Sequence, residues 1–178
     1  MASEVTTAWS QSPRLVIMPV DDSAHSERAF NWYLKKSHRP DDKLILIHVI
    51  QPKYSFQSDG VVVEHTVTDI SDAVNTGIKD GKKVLERYAE RCRKLNYTFE
   101  KILRADSNPG YAIVKIAEEK FASMIVIANR GMSKARRTIL GSCSHYVICH
   151  SGVPVLVVPP AKRSTASFMA EVKDAENL

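Results

Sequence analysis

Strand-sized segments, most of them strongly apolar, alternate along the chain with longer segments of amphipathic character. The strand-sized segments span residues 14–20, 43–50, 97–104, 123–128 and 153–158. Between them, apolar residues recur every three or four positions, as on the buried face of an α-helix. Strands that alternate with helices form a parallel sheet covered by helices on both faces, and right-handed crossovers leave few topologies. The pattern therefore predicts a single α/β domain built on a five-stranded, doubly wound parallel sheet with four main helices.

The polar and punctuating residues predict where elements and domain begin and end. Asp21-Asp22-Ser23 and Asn108-Pro109 are typical helix starts, and a further helix is expected over residues 142–150, with Gly152 just past its end. Residues 51–69 are aperiodic and predict a long loop before a long amphipathic helix. We expect a flexible segment at 1–13, the domain at 14–160 and a flexible tail at 161–178.

Composition excludes several classes of protein. No apolar segment approaches the roughly 18–20 residues of a membrane-spanning helix, and residues 1–12 lack the pattern of a secretory signal. We therefore predict a cytoplasmic protein without a membrane partner. The three cysteines form no C-x-x-C pair, so neither a disulfide framework nor a metal site is expected.

A glycine-punctuated basic segment predicts an anion site. The strand-sized residues 124–128 lead to Arg130 and Gly131, nine residues follow, and Gly141-Ser142 opens the next helix. A helix start presents unpaired N–H groups to an anion, and glycine lets a ligand approach the backbone closely. The net charge is +5, and no acidic residue lies between Arg130 and Gly141. This segment suits a polyphosphate, whereas nucleic acid is disfavoured because no aromatic side chain is present there to stack on a base.

Asp21 is the second candidate. In a doubly wound sheet, ligands bind at the carboxyl ends of the two strands where the winding reverses. If the first and fourth strands flank that point, Asp21 and the 128–142 segment face one crevice. Asp21 then accepts a hydrogen bond from a ribose or base, or Asp21, Asp22 or Ser23 caps the helix. Neither a P-loop sequence nor G-x-G-x-x-G after the first strand is present.

Several segments of the chain, over about residues 14–159, resemble the ATP-binding branch of the universal stress protein (UspA) family. They are Pro19-Val20-Asp21-Asp22-Ser23-x-x-Ser26, Leu46-Ile47-His48-Val49, Arg130-Gly131, Gly141-Ser142 and Pro154-Val155-Leu156-Val157-Val158. The family pattern is G-x2-G-x9-G-[S/T], and here Ala128 stands at the position of its first glycine. If that position needs a positive φ, alanine costs about 1 kcal/mol; if only close approach matters, the methyl group is either tolerated or crowds the ligand.

The resemblance implies a Rossmann-like sheet of order 3-2-1-4-5 and a bound ATP or AMP, with or without Mg²⁺. It implies adenosine contacts from Pro19, Val20, Asp21 and Val49. It implies that the ribose and phosphates are lined by Ile127, Ala128, Arg130, Gly131, Gly141, Ser142, Cys143 and Ser144. It also implies a homodimer that pairs through residues 153–158.

Three functions remain open from the sequence. The first is an adenine-nucleotide-binding stress-response protein that acts by binding and signalling, with no catalytic residue. The second is a slow ATPase or phosphotransferase, which needs a positioned base or metal. The third is a nucleotide-free scaffold dimer, in which Ala128 marks a site that no longer binds.

Overall fold

The computed structural model describes residues 13–51, 67–129 and 141–160, with side chains in the second helix described from residue 74. Strands and helices alternate throughout this part of the chain. Their bounds are β1 Leu15–Pro19, α1 Ala24–Lys36, β2 Lys43–Ile50, α2 Val67–Lys94, β3 Thr98–Ala105, α3 Pro109–Glu119, β4 Met124–Ala128, α4 Ser142–His150 and β5 Val155–Val158.

The strands form one five-stranded sheet of order β3-β2-β1-β4-β5, and every neighbouring pair is parallel. β1 lies between β2 and β4, so the winding reverses between β1 and β4. This topology confirms the predicted fold class and strand order. Because all strands point the same way, every strand-to-helix turn lies at one edge of the sheet, which we call the carboxyl edge.

Two apolar layers cover the sheet. Under α1 and α2 the core contains Phe30, Tyr33, Leu44, Leu46 and Tyr88, each at most 1% exposed. Under α3 and α4 a second core includes residues 17, 45, 47, 113 and 125. Burial on both faces explains the continuous apolar runs of the central strands, which would alternate with polar residues if one face met water.

Local sequence determines how α1 and α3 begin. The Ser23 hydroxyl accepts a hydrogen bond from the Ser26 N–H, and the Asn108 side chain accepts one from the Tyr111 N–H. Each contact satisfies a donor that the first turn of a helix leaves unpaired. Pro109 follows as the first residue of α3, where its missing N–H carries no penalty.

The predicted loop over residues 51–69 is wrong at its end, because α2 already begins at Val67. Val67 lies three positions before Ile70, so the helical spacing of apolar residues extends one turn further than the prediction allowed. Residues 52–66 lie outside the described part, as do the predicted flexible segments before residue 13 and after residue 160.

A buried polar cluster fixes the opposite edge of the sheet. Arg14 Nε and Nη2 each donate to the Asp42 carboxylate at 2.7 Å, and the Tyr33 hydroxyl also donates to it. Burial alone would raise the pKa of Asp42, but these hydrogen bonds outweigh it and lower that pKa. The cluster joins the end of α1 to the starts of β1 and β2, at the edge of the sheet opposite the carboxyl edge.

Candidate functional site

A cavity of about 540 Å³ opens at the carboxyl edge, across the reversal point between β1 and β4. Its volume lies within the usual range for small-molecule sites. All predicted site residues that the structure describes line this cavity: Pro19, Val20, Asp21, Val49, Ile127, Ala128, Gly141, Ser142, Cys143 and Ser144. The two others, Arg130 and Gly131, lie outside the described residues. The topology therefore brings the ends of β1, β2 and β4 and the start of α4 around one space.

Asp21 is held in the turn between β1 and α1. Its Oδ1 accepts a hydrogen bond from the Ser23 N–H at 2.9 Å and another from the Ser23 hydroxyl. The Asp21 N–H donates to Ser26 Oγ at 3.1 Å, and the Tyr88 hydroxyl lies 3.0 Å from the Asp21 carbonyl oxygen. Asp21 is thus both a wall of the cavity and a brace of the helix start, and Ser23 is the N-cap.

The start of α4 differs from that of α1. Its N-cap is Gly141, which provides no side-chain capping bond, and its first turn contains no acidic residue. Ser142, Cys143 and Ser144 follow, and all three line the cavity. The positive end of the α4 dipole therefore meets the cavity with no carboxylate in its own first turn to offset it, as in known anion sites.

The described residues do not require a glycine at position 141. Its φ is −60°, which any residue adopts, and the one described atom that a Cβ built there would meet is Ser144 Oγ, at an ordinary 3.7 Å. Against this part of the structure, the missing side chain leaves open space at the start of α4.

Ala128 is the last residue of β4 and pairs with Val158 in the sheet. Among the described residues other than glycine, positive φ occurs only at Asn96 and Phe121. Ala128 therefore adopts ordinary strand geometry, and the strain considered from the sequence does not arise. Its side chain packs against the core under α1 and also lines the cavity.

Part of the cavity wall consists of residues that were not predicted from the sequence. His48 lies on β2, and its Nδ1 is 2.8 Å from the Val20 carbonyl oxygen, so Nδ1 carries the proton and donates. Ser26, Asn108 and Tyr146 also line the cavity. Asn108 had a usable signal, because its role as a helix cap after β3 places it at the carboxyl edge. His48 lies in one of the segments that resemble the family but was not assigned to the site, and Tyr146 had no signal because it lies inside a helix, away from its ends.

Tyr146 depends on a close approach between α3 and α4. A Cβ built on Gly110 would lie 2.7 Å from Tyr146 Cβ, closer than such atoms approach in proteins. The Tyr146 ring stacks on His150 with centroids 4.0 Å apart. Gly110 thereby lets α4 pack close to the start of α3.

Within the described residues, no helix is long and apolar enough to cross a membrane.

Comparison with known proteins agrees with this architecture. A model of the "Universal stress protein family" matches residues 14–159. Universal stress protein YxiE of Bacillus subtilis is 30% identical over 147 residues, which cover 80% of this chain and 97% of that protein.

Solved structures of two further relatives share the fold. A universal stress protein of Methanocaldococcus jannaschii has a TM-score of 0.68 and 24% identity, covering 85% of this chain and 99% of the other. A family member from Arabidopsis thaliana, solved with AMP bound, has a TM-score of 0.62 and 21% identity, covering 87% and 95%.

A third solved structure is a universal stress protein in complex with cAMP, with a TM-score of 0.57 and 24% identity, covering 83% of this chain and 97% of that one. The family match spans nearly all the described residues and includes every part of the chain that lines the cavity. This chain belongs to the universal stress protein family.

Proposed function

We propose that this protein binds an adenine nucleotide, ATP or AMP, in the cavity at the carboxyl edge, and acts by ligand-dependent signalling rather than catalysis. The start of α4 carries the proposal, because its uncapped first turn faces the cavity without a neighbouring acid. Relatives with AMP and cAMP bound support this ligand class. Any Mg²⁺ at this site would be bound through the phosphates of the nucleotide.

The charges around the cavity set an orientation for the nucleotide. Asp21 and Asp22 lie at the start of α1, where an anionic phosphate would be repelled, whereas the first turn of α4 has no acidic residue. We therefore assign the phosphates to Gly141, Ser142, Cys143 and Ser144. The adenosine then lies toward Pro19, Val20, Asp21 and Val49, with Ile127 and Ala128 beside the ribose. Arg130 and Gly131 complete the phosphate side in this proposal.

The Ala128 methyl group fits this orientation. It continues a regular strand and packs toward the core under α1. Because the backbone at Ala128 needs no glycine, the substitution leaves the shape of the strand end intact. We infer that the site binds nucleotide with alanine at this position, which argues against the decayed-scaffold alternative.

Catalysis is the weaker alternative because of how Asp21 is used. Its Oδ1 is engaged by the Ser23 N–H and hydroxyl, which suits a carboxylate that braces a turn and accepts a bond from a ribose. A slow ATPase would need a base or metal ligand set at the phosphates. On this orientation Asp21 lies at the adenosine instead.

Titration with ATP of the parent and of two glycine variants tests the site. The parent is expected to bind, and Gly141→Asp is expected to weaken binding at least about tenfold, since a carboxylate beside the phosphates repels them. Gly152→Asp is the matched control, because Gly152 is exposed and a Cβ there meets nothing within 4 Å. Equal ATP affinity in Gly141→Asp and the parent would contradict the assignment of the phosphates to the start of α4.

We also propose a homodimer that forms through β5. In the described sheet β5 pairs on one side with β4, and its Val155, Leu156 and Val157 are half-buried. An apolar edge strand of this kind favours pairing with a second strand. A cytoplasmic location stays a prediction from the sequence.

A further inference from the structure

Arg28 extends from α1 to the carboxyl ends of two strands. Its Nε donates to the Pro159 carbonyl oxygen at 2.8 Å, and its Nη2 donates to the Asn129 carbonyl oxygen at 3.0 Å. Its Nη1 lies 3.0 Å from His25 Nδ1. Pro159 directly follows β5 and Asn129 directly follows β4, so one guanidinium group joins both strand ends to α1.

The residue after β4 is held from two directions. The Asn129 N–H donates to the Val158 carbonyl oxygen at 2.9 Å, while its own carbonyl oxygen accepts from Arg28. Bonds from a charged guanidinium are stronger than those between neutral groups. Burial lowers the pKa of Arg28, which marks a guanidinium partly withdrawn from water. Asn129 is therefore fixed relative to both β5 and α1.

This arrangement reaches the cavity through Ala128. Ala128 immediately precedes Asn129, pairs with Val158 and lines the cavity, whereas Arg28 itself does not line it. Loss of Arg28 removes the bonds that tie the Asn129 and Pro159 carbonyl oxygens to α1, and this loosens the packing of the β4 end against that helix. A shift there moves the wall beside the ribose and phosphates and leaves the wall at the adenine base, near Val49, in place.

We propose that Arg28 is a positioning residue for the ribose–phosphate side of the ligand site. It acts by holding the ends of β4 and β5, and it touches no ligand. The inference rests on the proposed nucleotide binding and adds to it a residue outside the cavity that controls affinity. No sequence pattern indicated this role. In the sequence Arg28 is one of several charged residues in a regular helix, and only the fold shows that it contacts the ends of β4 and β5.

Calorimetric titration of ATP and of adenosine into the parent, Arg28→Gln and Arg28→Lys tests this role. Arg28→Gln is expected to weaken ATP binding about tenfold and adenosine binding by less than about threefold. Arg28→Lys can bond only one carbonyl group at a time, so its ATP affinity should fall between those of the parent and Arg28→Gln. The ratio of the two affinities is the readout, since general destabilisation would lower both alike.

Arg91→Gln is the matched control. Arg91 also ties α1 to a neighbouring element, because it bonds Asn31 and Glu27 from α2, and it does not line the cavity. It should leave both affinities unchanged. If Arg28→Gln does not fold, Arg28→Lys serves alone.

The possible failures are distinguishable. A parent that binds neither ligand overturns the proposed function and this inference together. A parent that binds, with an unchanged ratio of ATP to adenosine affinity in both Arg28 variants, overturns this inference alone.

Discussion

Removing the Asp42 carboxylate tests how the edge of the sheet opposite the cavity is held. The Asp42 side chain is 0% exposed and accepts hydrogen bonds from Arg14 Nε and Nη2, the Tyr33 hydroxyl and the Arg39 N–H. We expect Asp42→Ala to leave these donors without their acceptor. The consequence is a loss of folding stability rather than of ligand binding.

The magnitude follows from the burial of each partner. Tyr33 is 0% exposed, so its hydroxyl finds no water and costs about 1–3 kcal/mol when unpaired. The Arg14 side chain is 19% exposed, so water can replace part of its lost hydrogen bonds. Leaving Arg14 unpaired therefore costs less than breaking a fully buried ion pair, which costs about 3–5 kcal/mol. Together these terms predict a decrease of about 3 kcal/mol in the free energy of unfolding.

Urea denaturation followed by far-ultraviolet circular dichroism measures this decrease. Asp41→Ala is the control, because Asp41 is exposed and adjacent in sequence, and its effect should stay within about 0.5 kcal/mol. A loss below about 1 kcal/mol in Asp42→Ala, or equal losses in the two variants, would refute the reasoning about this cluster.

Two further substitutions test the packing. Burial lowers the pKa of His38 below its usual 6.5, and the charge of Arg14 acts in the same direction. The charges of Asp42 and Asp41 oppose this shift without reversing it. The unfolded chain then binds more protons, so parent stability should fall as the pH drops below about 6.5, and His38→Phe should remove that part of the slope in melting temperatures measured across pH. Gly110→Ala should lower the free energy of unfolding by about 1–3 kcal/mol by overpacking against Tyr146 and should weaken ATP binding, whereas unchanged urea midpoints and affinities would contradict the close approach of α3 and α4.

The sequence predicted the fold well because the local and global signals agree. β2 and α4 begin and end where the pattern placed them, at Lys43–Ile50 and Ser142–His150. β5 is shorter than predicted, since it begins at Val155 rather than two residues earlier. Pro154 lacks the N–H that would pair in a parallel ladder, which explains why the strand starts after it.

The candidate site was predictable where its residues lie at the end of a strand or the start of a helix. Asp21 and Gly141 each stand at a strand-to-helix turn, and parallel topology brings such turns together at one edge. His48, Tyr146 and Arg28 depend on which helix packs over which strand, and a single sequence contains no direct record of that packing. The role of Ala128 was likewise unresolved until its backbone geometry was known.

A crystal structure with ATP bound tests the central claim most directly. We expect the phosphates at the first turn of α4, beside Gly141 and Ser142, and the adenosine near Asp21 and Val49. An empty cavity in crystals grown with saturating ATP, or a nucleotide bound with its phosphates at the start of α1, would contradict it.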